Sequence, residues 1–411
     1  MLDFSDKPYQ FFPPKCNRFV TRVAKELNRR FVLPGRRHRI KEIKLRCADR
    51  ILPVLNSDAS YLLLPNHSTH SDPQLMFEVQ RRLRINASTM AAYDVFLRGR
   101  LGAMFMQCIG CFSVDREGSD KQAMNCAVER LATSKGGLTV FPEGNVLLMN
   151  DRVSPFLGGA AFIGMRAQKK LGPDHPVYAV PISLKFTHLT DCREKIASHL
   201  TKLEEQLEMP DATGQSMRHR MRLIGVQILS RNLRQRGYLP PLDAADDLNQ
   251  LLNESAVQIL GKLEEKIELE RKPEEPPMDR VRRIRAAIHQ IRINEEQKLD
   301  HRVASTWADE AILAMRILSY SSDYLSESPT LDRHSETLEK LREDLAEEIL
   351  PPIGNRKAFV QFGEPIDLSK YLDMKSREAL PELTQKFEAA VQSGIEDINA
   401  GNDLPGSLKL E

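Results

Sequence analysis

The segment Asn66-His67-Ser68-Thr69-His70-Ser71-Asp72 holds the side chains of this chain best suited to proton transfer, an imidazole and a carboxylate five residues apart. A carboxylate beside an imidazole fixes its tautomer and raises its basicity, which is what general-base catalysis requires. On one helix that spacing would put the two groups on different faces, so His67 is expected in a loop, with Asp72 where the next helix starts. Asp72 stands before Pro73, a pattern that suits a helix N-cap with Pro at the first helical position. Such a cap would account structurally for Asp72 alone, but it leaves His67 without a structural reason. His70 reads as a polar bystander.

The elements around this segment alternate strand and helix. Tyr61 to Leu64 reads as a buried strand, and after Pro73 the residues Leu75, Met76, Val79 and Leu83 recur at helical spacing. Cys111 to Val114 is a second strand, followed by Asp120 as an N-cap and a helix carrying Met124, Val128 and Leu131, which Gly136-Gly137 stops. Leu138 to Phe141 is a strand, Gly159 to Leu171 a helix closed by Gly172, and Val177 to Ser183 a further strand. Repeated β-then-α order predicts an α/β fold of αβα layers around a largely parallel sheet. In such sheets the loops at the carboxyl ends of strands form the ligand crevice, which is where His67 falls.

Beyond about residue 190 the texture becomes long, charged and helical, broken by Lys272-Pro273-Glu274-Glu275-Pro276-Pro277. Lys357 to Phe362 then alternates like a strand, so the chain is expected to return to the sheet after a long insertion. The expected organisation is a basic amphipathic segment at 1–50, the first part of the α/β domain at 51–190, a charged helical insertion at 191–354, and the return strand with C-terminal helices at 355–411.

The formal net charge is only +2, yet fourteen Lys or Arg residues lie between Lys7 and Arg50. Interleaved with Phe19, Val20, Val23, Leu27 and Phe31, cations such as Arg18, Arg22, Lys25, Arg29 and Arg30 suit an interfacial helix on anionic lipid. No nucleic-acid module accompanies them. No run of 18 apolar residues supports a spanning helix, and Phe4, Phe11 and Phe12 do not make a secretory signal. A cytoplasmic protein, peripheral on the cytoplasmic face of a membrane, is the expectation. Six thinly spread cysteines do not form a disulfide scaffold, and the Cys108-x-x-Cys111 pair, with no second pair, reads as core packing rather than a metal site.

Four ordered blocks resemble the glycerolipid acyltransferase family, typified by lysophosphatidic acid acyltransferases. Asn66, His67 and Asp72 resemble its His-x4-Asp block, and Gly110-Cys111-Phe112-Ser113-Val114-Asp115-Arg116 its second. Phe141-Pro142-Glu143-Gly144 resembles the third, and Val177-Tyr178-Ala179-Val180-Pro181-Ile182 the fourth. Pro155-Phe156-Leu157-Gly158-Gly159-Ala160 and Gly363-Glu364-Pro365-Ile366 also look familial, so the resemblance covers about residues 55–190 and 355–370.

The resemblance implies that His67, assisted by Asp72, takes a proton from an acceptor hydroxyl, which attacks the thioester of acyl-CoA or an acyl carrier protein. It also implies a glycerolipid-like acceptor, no metal and no cofactor beyond the acyl-donor substrate. Arg116 would hold the acceptor's phosphate, and Glu143 with Gly144 would shape the acceptor pocket. Read from the residues alone, Arg116 also suits a surface ion pair with Asp115 or Glu117, and Gly144 a turn. One departure stands out: the family commonly has Thr-Arg or Ser-Arg after Phe-Pro-Glu-Gly, and here Asn145-Val146 follow. Either Arg152 compensates from the following loop, or the acceptor is not a simple phosphate monoester. An acyl-thioester hydrolase and a non-catalytic lipid-binding or scaffold protein remain as alternatives, although no G-x-S-x-G elbow is present.

Overall fold

The computed structural model describes residues 9–116, 120–133, 135–239, 247–272, 274–293 and 301–410. Phe4, Lys7, Glu117 and Pro273, which enter the reading above, lie outside them. The chain opens with α1 (Arg18–Leu27), a wider turn at Asn28–Val32, β1 (Ile40–Arg46) and α2 (Leu52–Asn56). There follow β2 (Ser60–Pro65), α3 (Asp72–Arg82), β3 (Ser88–Ala92), α4 (Arg100–Cys108), β4 (Cys111–Val114), α5 (Lys121–Leu131), β5 (Gly137–Thr139), α6 (Gly159–Leu171) and β6 (Val177–His188). Among the described residues, seven helices then intervene: α7 (Arg193–Gln206), α8 (Met217–Gln235), α9 (Leu248–Lys266), α10 (Pro277–Ile293), α11 (His301–Leu318), α12 (Tyr324–Glu327) and α13 (Leu331–Ala346). The chain returns through β7 (Arg356–Phe362) and β8 (Ile366–Asp367) and ends in α14 (Ser376–Ala400).

The sheet order is β1-β7-β6-β2-β5-β3-β4, with β8 also on β6. From β6 to β4 all pairings are parallel, whereas β7 runs antiparallel to β6 and parallel to β1. The fold is thus the α/β class, mostly parallel, with helices on both faces. Period-two alternation in β2 divides its side chains between the layers. Leu62 and Leu64 pack with Phe112, Leu131, Ala161 and Phe387, while Tyr61 and Leu63 pack with Leu75, Val79, Val180 and Val360.

Some elements differ from the sequence reading. β1 lies within the basic N-terminal stretch, so that stretch supplies both a helix and an edge strand of the sheet. β3 has no counterpart in the reading, and β6 runs five residues past Ser183. The helices between β6 and β7 bury two apolar cores of their own, one among α8 to α11 and one among α7, α8 and α13. Cys111 sits in a small core with Phe96 and Ala103, and burial pushes its thiol up to about 12.

Candidate active site

His67 sits in the loop at the carboxyl end of β2, one residue past Asn66, whose side chain fixes where that loop begins. β6 outruns β2, and where it does so the Asn66 amide replaces a strand neighbour. Its Nδ2 donates to the Leu184 carbonyl at 3.0 Å, and its Oδ1 accepts from the Leu184 N–H at 2.7 Å. Asn150 treats Phe186 in the same way, at 2.6 and 2.9 Å. Two asparagines therefore clamp the loops of the site to one extended strand.

The carboxylate of Asp72 does not cap its helix. Ser71 occupies the N-cap position and Asp72 is the first residue of α3, so the cap expected at Asp72 is not formed. Instead the fully buried carboxylate turns back into the loop. Asp72 Oδ2 accepts from the Thr69 N–H at 2.8 Å and lies 2.9 Å from His67 Nδ1, while Oδ1 accepts from the Thr69 hydroxyl at 3.0 Å. The reason is local: those hydrogen bonds satisfy an anion with no exposure to water better than one cap contact would. With Nδ1 donating to Asp72, the His67 Nε2 lone pair is left to act as a base. The imidazole is about one-sixth exposed and lies against Phe141, with ring centroids 4.3 Å apart.

Glu143 lies beneath this pair. One oxygen accepts from the backbone N–H of His67 at 2.6 Å and the other from that of Ser154 at 3.0 Å, so its carboxylate joins the two loops. Burial raises its pKa above the ordinary carboxylate value even with these donors present. Gly144 closes a turn with its N–H on the Phe141 carbonyl at 3.1 Å and has φ of +74°; a Cβ there would meet Leu157 Cδ1 at 2.9 Å. Gly144→Ala is expected to lower stability by about 1–2 kcal/mol through the left-handed backbone alone, measurable as a reduced urea midpoint.

Arg116 donates to Asp94 Oδ1 at 3.1 Å and to Asn145 Oδ1 at 3.3 Å. Its ion-pair partner is thus Asp94 rather than Asp115, which instead lies 3.1 Å from His289 Nε2 of α10. Arg116 stands against Asn145, the residue before Val146, which takes the place of the cation that the resemblance leads one to expect. Arg152 goes elsewhere: it is held by Ser321, Asp323 and Glu327 and lies over the Tyr324 ring. His70 pairs with Glu343 of α13 at 3.1 Å. The structure therefore brings together His67, Asp72 and Glu143, and places Arg116 with Asn145 beside Gly144. Thr69, Asn150 and Ser154 escaped the reading because their roles are backbone contacts to residues distant in sequence or, for Thr69, to a carboxylate expected to point the other way.

Among the described residues no group of three or more His, Cys, Asp or Glu side chains could hold a metal ion. Against known proteins, residues 46–185 match the family described as Acyltransferase. A 1-acyl-sn-glycerol-3-phosphate acyltransferase of Streptococcus pneumoniae (strain ATCC BAA-255 / R6) is 30% identical over 133 residues, 32% of this chain. The chain spans under half, 46%, of that relative's length. The match begins within β1, ends within β6 and contains the whole His67, Asp72 and Glu143 constellation. Residues 46–185, the part of the chain that carries this site, are thus similar to the acyltransferase family.

Proposed function

We propose that the protein transfers a fatty acyl group from the thioester of acyl-CoA or an acyl carrier protein to a hydroxyl of a glycerolipid-like acceptor, with His67 as general base. The observation that carries this reading is the His67–Asp72 pair, held in one tautomer at the carboxyl end of β2. His67 Nε2 takes the hydroxyl proton as the acceptor oxygen attacks the thioester carbonyl. The tetrahedral intermediate then collapses with cleavage of the C–S bond, and the departing thiolate recovers the proton from His67. Buried Asp72 stabilises the transient imidazolium, and Glu143 holds the His67 backbone in place. Arg116 faces the acceptor, since its planar guanidinium suits an anionic headgroup. No cofactor enters these steps. The test is a mass-spectrometric screen of purified protein with acyl-CoA and mixed lysolipids. Acylated lipid supports the reading, whereas thiol release at the same rate with and without acceptor would make the protein a hydrolase.

The same reading places the protein on a bilayer, peripherally and at its cytoplasmic face. No helix of the described residues is long and apolar enough to cross a membrane. On α1 and the turn after it, Phe19, Val23, Leu27 and Phe31 recur every fourth residue and are 76%, 43%, 49% and 66% exposed. The adjacent α4 exposes Leu101, Met104 and Phe105, and Arg18, Arg22, Arg29 and Arg30 flank the stripe. Lys25 belongs to the other face: its Nζ donates to the Ile85 carbonyl at 2.7 Å and to Asn86 at 2.8 Å, fastening α1 to the domain. Burial of that ammonium lowers its pKa to about 8. Apolar anchors ringed by cations favour anionic lipid. The double variant Phe19→Asp, Phe31→Asp is expected to reduce co-sedimentation with anionic vesicles at least about tenfold, and high salt to weaken wild-type binding. Unchanged sedimentation in both comparisons would refute the contact. Point changes are preferable to deleting residues 1–50, because β1 lies in that stretch.

A further inference from the structure

The helices between β6 and β7 surround a cavity of about 1030 Å³, at the upper end of the roughly 300–1,000 Å³ usual for small-molecule sites. None of His67, Asp72, Arg116 and Glu143 lines it. One wall is α8, which faces it from Arg218 to Asn232, about 21 Å of helix at 1.5 Å per residue. Met221, Leu229, Leu252, Ile317 and Leu341 make the lining largely apolar, and Leu148 with Met149 adds to it from the loop that joins Gly144 to Asn150. Leu148 reaches it from a left-handed backbone, with φ of +52°, the kind of strain that collects at ligand sites.

One charge on this lining lacks a counterpart. Lys340 is buried, with Nζ donating to the Ser319 carbonyl at 2.7 Å and standing 4.0 Å from the centre of the Tyr320 ring. The two carboxylates whose charge reaches it are engaged elsewhere, Asp344 by Arg316 and Tyr320, and Glu336 by Tyr324 and the Asn150 N–H. Among the described residues no carboxylate forms an ion pair with Lys340. The other cations on the lining differ: Arg316 is paired, Arg222 is engaged, and Arg218 stands exposed in the first turn of α8. Burial lowers the Lys340 pKa to about 8, which a bound anion would reverse. A buried ammonium ordinarily has a counter-anion, and with one N–H on Ser319 this one still has donors to offer.

We infer that this cavity binds a long-chain fatty carboxylate, with the head group on Lys340 and the alkyl chain along α8. A long apolar lining suits a single alkyl chain, because each CH₂ it takes from water adds to binding. Charge sets the head group. One carboxylate balances one ammonium, whereas a phosphate monoester carries about −1.5 to −2 charges near neutral pH and would leave the excess buried. An acyl thioester carries no charge at its carbonyl and brings no anion to Lys340. The site is separate from the one that carries His67, and it stands whether or not the acyl-transfer reading does.

The test is equilibrium binding of labelled palmitate to the full-length protein, with unlabelled palmitate, hexadecanol and hexadecyl phosphate as competitors, each below its micellar concentration. Wild-type protein should hold palmitate at a single saturable site and prefer it to both other competitors. Lys340→Met should weaken palmitate about 10- to 100-fold, as loss of a charge-assisted hydrogen bond does, and leave hexadecanol nearly unchanged. Lys340→Arg should keep most of the affinity. Gly225→Leu fills the space from α8, where a Cβ meets only Leu341 Cδ2 at an ordinary 3.5 Å. That variant should fold, as thermal unfolding reports, yet lose palmitate and hexadecanol alike. Should Lys340→Met fail to fold, loss of binding in Gly225→Leu still decides for the cavity. Absence of saturable palmitate binding would overturn the site. So would binding that survives unaltered in well-folded Gly225→Leu, because palmitate would then sit at the acyl donor's site or on the exposed stripe of α1. An affinity unaltered in well-folded Lys340→Met, or a stronger hold on hexadecyl phosphate than on palmitate, would overturn the carboxylate on Lys340.

Discussion

Replacing His67 by Ala is expected to lower acyl transfer by about 10²–10⁴-fold while leaving cooperative unfolding close to wild type. The size follows from what is removed. An alcohol is a weak nucleophile near neutral pH, and His67 Nε2 is the proton acceptor that the loop geometry leaves available once Nδ1 is held by Asp72. The expectation of intact folding follows from where the ring sits. It is partly exposed against Phe141, and the loop is fixed by hydrogen bonds made by the His67 backbone, Asn66, Thr69 and Asp72 rather than by the imidazole. Asp72→Asn should differ in kind. It weakens the hold on the tautomer and also removes charge from the contacts to Thr69, so activity and the thermal midpoint should fall together. Single-turnover assays with acyl-CoA, alongside thermal melts, separate the two. Near-wild-type turnover in His67→Ala would remove the general base from the mechanism.

Much of this site was legible because its chemistry is local in sequence. His67 and Asp72 lie five residues apart, and the strand before them and helix after them follow from apolar periodicity. What periodicity does not report is where a side chain turns. Asp72-Pro73 has the composition of a cap, yet the carboxylate points back at Thr69 and His67 because burial demands several donors. β1 was hidden by its charges: in Ile-Lys-Glu-Ile-Lys-Leu-Arg the apolar residues are outnumbered, and pairing with β7, more than 300 residues away, is what makes it a strand. β3, Ser-Thr-Met-Ala-Ala, is too short and too small in side chain to declare itself. The full length of β6 was unreadable for a related reason. Lys185 looks like the end of a buried strand until its partners are known, and these lie in a distant loop and in the insertion.

That lysine carries the second large effect. Lys185→Met is expected to lower stability by about 3 kcal/mol, at the low end of what breaking a buried ion pair costs. The ammonium is 2% exposed, donates to Asp151 and lies 3.7 Å from Asp332, while Arg333 at 2.8 Å also binds Asp151 and His188 at 2.8 Å binds Asp332. Those remaining cations keep the loss from being larger. Lys185 and Arg333 hold Asp151 well below the ordinary carboxylate range, whereas burial pushes neighbouring Glu336 up to about 8 and Asp332 raises His188 to about 10. The signs differ. Asp151 contributes stability that is present above its ordinary value and lost in acid. Glu336 keeps its proton when folded but loses it near its ordinary value when unfolded, so its contribution declines as pH rises towards about 8. His188 contributes fully below its ordinary value of 6.5 and less as pH rises towards about 10. Wild-type stability should therefore fall between about pH 5.5 and about pH 8.5, and the slope should steepen in Lys185→Met, because removing the ammonium makes Glu336 still harder to ionise. Urea midpoints at the two pH values measure both quantities. A variant as stable as wild type would mean that the cluster joining β6 to α13 is held by packing rather than by charge; a loss of the expected size with an unchanged slope would clear Lys185 of any hold on the Glu336 proton.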